Sequence, residues 1–107
     1  MLQSVGQPRV TGADEELRVL ELRAAVSRLR RELAGHPAEF KDRAIAEDEL
    51  GALGAMAAPG GTPEAARMRR SLLLIVGSIG SVSALASALL GVREAVDLFG
   101  DLPRPPR

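Results

Sequence analysis

Residues 71–91 read SLLLIVGSIGSVSALASALLG, 21 consecutive positions without a charge in a chain of 107 residues. A helix needs about 20 apolar residues to cross a bilayer, and the mean hydropathy of this run falls in the range that marks spanning helices. The rest of the chain must therefore either flank a membrane span or cover a very apolar core element. Two readings follow. In the first, the run crosses the inner (plasma) membrane once. Gly77, Gly80, Ala84, Ser87 and Gly91 recur at spacings of 3 and 4 and supply a small-residue stripe for close helix packing. Arg67, Arg69 and Arg70, just before the run, meet anions or lipid headgroups. In the second, the run is a core helix. Leu72, Ile75, Ile79, Val82, Leu89, Val92, Val96 and Phe99 fall along one stripe at helical spacing, and serines 78, 81, 83 and 87 dilute the remaining surface. Arginines 67, 69 and 70 on one side of the run are balanced by 93, 104 and 107 on the other. No topology is specified by that balance.

The flanking sequence is helical in pattern. Leu22, Val26, Leu29 and Leu33 follow each other at 4, 3, 4, with Val19, Leu17 and Leu20 extending the face. The spacing predicts a helix over 13–34 with a coiled-coil-like seam. Gly35 supplies its stop. Pro37 suits a first helical position, and Phe40, Ala46, Leu50, Leu53 and Ala57 predict one apolar face of a second helix over 37–58. A Glu39–Arg43 pair supports it at i,i+4. Thr62-Pro63-Glu64 reads as the capped start of a third helix over 63–99, roughly 55 Å long if unbroken. Glycines weaken it, and a kink or break is expected near Gly77–Ser81 or near Gly91. Residues 1–12 read as a flexible arm, and 100–107, with three prolines, as an extended tail. The N-terminus has neither the basic nor the apolar part of a secretory signal.

The residue inventory closes off most chemistry. There is no cysteine and one histidine, so thiolate and multi-histidine metal sites are excluded. Glu47, Asp48 and Glu49 are consecutive and point in different directions around a helix, which denies them the facing geometry of acid–base catalysis. His36 has no orienting partner nearby in sequence. Gly77-Ser78-Ile79-Gly80 is neither a nucleophile elbow nor a phosphate loop. Phe40 and Phe99 are the only aromatics, and 14 basic residues balance 14 acidic ones. Nucleic-acid stacking platforms and basic footprints are thereby disfavoured. No catalytic residue, metal site, cofactor or small-molecule substrate is expected.

The stretches AVSRLRREL (25–33), RAIAEDELGAL (43–53) and RMRRSLLLIVGSIGSVSALASALLGVREAVDLFG (67–100) resemble a family of small actinobacterial proteins known only as a domain of unknown function. The resemblance runs from residue 1 to residue 100 and brings no activity, cofactor or site residue with it.

The resulting expectation is an all-α chain: an antiparallel helical hairpin with a third long apolar helix packed along it, a three-helix bundle with flexible tails. Leu22, Val26, Leu29, Leu33, Leu50, Leu53, Ile79 and Val82 are expected in the core or an interface. The role expected is non-enzymatic, a cytoplasmic module that forms a homo-oligomer or binds a protein partner. The alternative is the single-pass membrane protein spanning 71–91.

Overall fold

The computed structural model describes residues 7–36 and 42–100, with side chains for 15–36 and 42–99. Four helices follow in order: α1 (Gln7–Ala34), α2 (Arg43–Ala57), α3 (Ala65–Ile79) and α4 (Ala86–Gly100), the last preceded by a 3-10 turn over Ser83–Leu85. No strand occurs among the described residues. Each helix packs on the next, and α4 closes against α1.

Polar links between neighbouring helices fix their direction. The Arg23 guanidinium on α1 donates to the carbonyl of Ala57 at the end of α2, at 2.9 and 3.2 Å. Arg43 at the start of α2 donates to the carbonyls of Leu33 and, at 3.1 Å, His36 at the end of α1. The two helices are therefore antiparallel, and each lends an arginine to the other's C-terminal carbonyls, where a helix dipole favours a cation. Ser71 on α3 donates to Glu49 on α2 at 2.8 Å, and Arg28 on α1 to Ser87 on α4 at 3.2 Å.

The core is built from four short seams of one spacing. Leu22, Val26, Leu29 and Leu33 come from α1, and Ala46, Leu50, Leu53 and Ala57 from α2. Met68, Leu72, Ile75 and Ile79 come from α3, and Leu85, Leu89, Val92, Val96 and Phe99 from the 3-10 turn and α4. Steps of 3 and 4 hold an apolar stripe on one side of a helix, and four such stripes close an antiparallel four-helix bundle. The α1 seam thus serves a bundle within one chain rather than a coiled coil.

The expected long third helix does not form. The 71–91 run is divided between the second half of α3 and the first turns of α4. Gly80 ends α3, its amide donating to Val76 at 2.8 Å, and Val82 then turns extended (φ −88°, ψ 100°). Two forces favour this break. Gly80, Ser81 and Val82 are each weaker helix formers than Ala. More importantly, an unbroken helix of roughly 55 Å, with a stripe about 40 Å long, would outrun the 15-residue α2 beside it. Folding back puts both halves of the stripe on one core. The three-helix bundle is accordingly corrected to four helices, and the single span over 71–91 falls with it. No helix of the described residues is long and apolar enough to cross a membrane.

Smaller differences follow from local chemistry. The first helix starts at Gln7, inside the stretch read as an arm, because Pro8 is tolerated in a first turn, where its missing N–H is not needed. Leu17 and Leu20 are exposed rather than part of the buried seam. Pro37, Glu39 and Phe40 lie outside the described residues, as do 1–6 and 101–107. Arg43 pairs with Glu47 at 3.1 Å. Glu64, not Thr62, is the residue before α3.

Candidate functional site

Of the core or interface residues named from the sequence, Leu22, Val26, Leu29, Leu33, Leu50, Leu53 and Ile79 are buried. Val82 is half-buried and packs against them. The small residues are not brought together as a stripe. Gly77 lies on α3, while Ser87 and Gly91 lie on α4, because the break at Gly80 ends the register that a single helix would have kept. Ala84 and Ser87 are exposed, and Ser87 is held by Arg28. Gly91 lines a groove of 440 Å³ between α1 and α4 with Ala24, Ala25, Ala88 and Ala95. A Cβ placed on Gly77 or Gly91 would meet nothing within 4 Å. Within the chain, neither glycine is the site of a close helix approach. Arg67, Arg69 and Arg70 are exposed in the opening turns of α3. No group of three or more potential metal ligands converges among the described residues.

The structure instead singles out the solvent face of α3. Its core seam is Met68, Leu72, Ile75 and Ile79. Directly opposite on the helix wheel stand Arg70, Leu73, Leu74 and Gly77. Leu73 is 70% exposed, Leu74 43% and Val76 37%. The apolar run thus supplies more apolar surface than one core stripe takes up, and the excess faces outward.

Two contacts locate the neighbours of this face. The Ser71–Glu49 bond marks the flank of α3 that meets α2. Ile45, one turn before Glu49 on that flank of α2, is 43% exposed. The other flank forms a groove of 230 Å³ with α4, lined by Val76, Gly80, Ala86, Leu89, Leu90 and Arg93. Leu90 there is 51% exposed. Among the described residues, five of the eight exposed large apolar side chains therefore lie on one side of the bundle, with α3 as its ridge.

The electrostatics of the ridge are one-sided. From Ala65 to Arg93 there are four arginines and no acid. Three of the four sit in the first six residues of α3, the end where a helix dipole disfavours cations. Helix stability does not account for their placement.

The sequence reading missed this surface because it followed the stripe that packs inward. The signal was available: Leu73, Leu74, Val76 and Leu90 are the large apolar residues of the run that fall outside that stripe. No curated protein and no solved structure matches the chain significantly. The model of a family of unknown function, DUF5955, matches residues 11–100, the span that holds the four helical seams and the outward face of α3. The chain belongs to that family of unknown function, DUF5955.

Proposed function

We propose that the chain is a non-catalytic helical module that self-associates through the outward face of α3, flanked by α2 and α4. One observation carries this reading. In its second half α3 is apolar on both its core and solvent sides, the pattern of a helix covered all round. A second copy is the occupant whose shape is available on the same surface. Leu73 is a projecting apolar side chain, and one turn away Gly77 leaves open space above the backbone. One copy can therefore offer a knob where the other offers a gap.

The size of the face sets the expected strength. A 15-residue helix is about 22 Å long, and flanking helices 8–10 Å away give a face about 20 Å wide. Two such faces bury about 900 Å², the size of a weak, transient interface. A reversible dimer of micromolar affinity is expected.

The test is a concentration series of sizing runs with light scattering. The mass should rise from that of one chain, 11.3 kDa, toward two. The double change Leu73→Glu, Leu90→Glu should hold it at one chain while leaving helicity and melting intact. A single-chain mass at every concentration would overturn the proposal. Pelleting of that monomer with anionic vesicles would reassign the face to a lipid surface.

A further inference from the structure

From the placement of charge around this face, we infer that two copies pair with their α3 helices antiparallel, about a twofold axis level with Ile75. The inference rests on the self-association reading and names the geometry of that same face.

The apolar residues fix the centre. Leu73, Leu74, Val76 and Gly77 are spaced evenly about position 75, where the helix turns its buried side to the core. An antiparallel twofold through that level sets Leu73 of each copy over the partner's Gly77. A Cβ at Gly77 meets nothing within 4 Å, so the backbone there lies open to an incoming side chain.

Charge fixes the direction. Arg67, Arg69 and Arg70 crowd one end of the ridge. Parallel pairing would lay each cluster against its own copy. Antiparallel pairing separates the clusters and carries each one to the other end of the partner's ridge. An acid waits beside that end. The Ser71–Glu49 bond sets the level of α2 against α3. Seven residues toward the start of α2 from Glu49, about 10 Å along, is Asp42, level with Ser78. Asp42 is exposed, and its carboxylate makes no capping bond to its own helix. The partner's Arg70 arrives at the level of Gly80, about 3 Å along the axis from Asp42. A symmetric interface makes this pairing twice.

The absence of cysteine permits a direct test. Leu73→Cys and Gly77→Cys proteins, differently tagged, are mixed and treated with a short bifunctional maleimide. The mixed 73–77 product should exceed the 73–73 and 77–77 products several-fold. Dominant 73–73 and 77–77 products would mean parallel pairing and overturn the inference. A second arm leaves α3 packing untouched. Arg70→Glu alone and Asp42→Arg alone should each weaken dimerisation about tenfold. The double reversal should restore it to within about threefold. A dimer by light scattering that shows no restoration overturns the pairing and leaves self-association standing. A single-chain mass for the unaltered protein overturns both.

Discussion

Individual residues in this bundle divide into those that fill space and those that finish helix ends. Leu53 is fully buried in the α2 seam. Leu53→Ala should cost about 2–5 kcal/mol, the usual range for a leucine cavity, read from the midpoint of urea unfolding. Arg43 does a different job. Its guanidinium adds a second donor to the Leu33 carbonyl, which also accepts from the His36 amide at 3.1 Å, and reaches the His36 carbonyl just past the end of α1. Arg43→Met keeps most of the volume and should cost about 1–3 kcal/mol, again by urea unfolding. An unchanged midpoint would show that water serves those carbonyls equally well. Gly61 is constrained by close approach: a Cβ there would stand 2.3 Å from the carbonyl oxygen of Ala55 and 2.8 Å from that of Met56. The preceding Gly60 holds φ +83°, a conformation that residues with a Cβ rarely adopt. Together they turn the chain from α2 into α3. Gly61→Ala should destabilise the protein, because the obstacles are backbone carbonyl oxygens that have no room to yield.

At the scale of the element, the decisive event is the interruption of the apolar run. Helix content and the inward stripes were legible in the sequence because both depend on spacing along one helix. The stripe from Leu72 to Phe99 was read correctly as core-facing, yet it was assigned to one helix when two carry it. Continuity could not be read locally. Gly77, Gly80 and Gly91 carry the same propensity penalty, and only Gly80 marks the end of a helix. What distinguishes it is the length of α2 beside it, a tertiary quantity. The small-residue stripe failed for the same reason, since its register presupposed an unbroken helix. The outward leucines were visible as residues outside the stripe, but their exposure depends on how many neighbours α3 has. Gly80→Ala separates the two architectures. In an unbroken helix it should stabilise by up to about 1 kcal/mol. In the bundle its Cβ would lie 2.4 Å from the Val76 carbonyl oxygen, so the melting temperature should fall.

For the whole molecule, a chain of this size buries only about two-thirds of the surface that its unfolded form exposes, and alanine fills part of what it does bury. Association then adds stability by mass action. The melting temperature should therefore rise with protein concentration, and the Leu73→Glu, Leu90→Glu variant should lose that dependence. A concentration-independent melt in the unaltered protein would remove association from its stability.

All of this depends on α3 and α4 folding back on each other, and one distance tests that fold-back. Spin labels at Ala66 and Leu98, both exposed in a chain without native thiols, report it by pulsed dipolar spectroscopy. Dilution with unlabelled protein suppresses distances between copies. Helices packed side by side, 8–10 Å apart, should give a distribution centred below about 25 Å with the label arms included. A distribution near 48 Å, the length of about 32 residues of unbroken helix, would contradict the four-helix bundle and the outward face built on it.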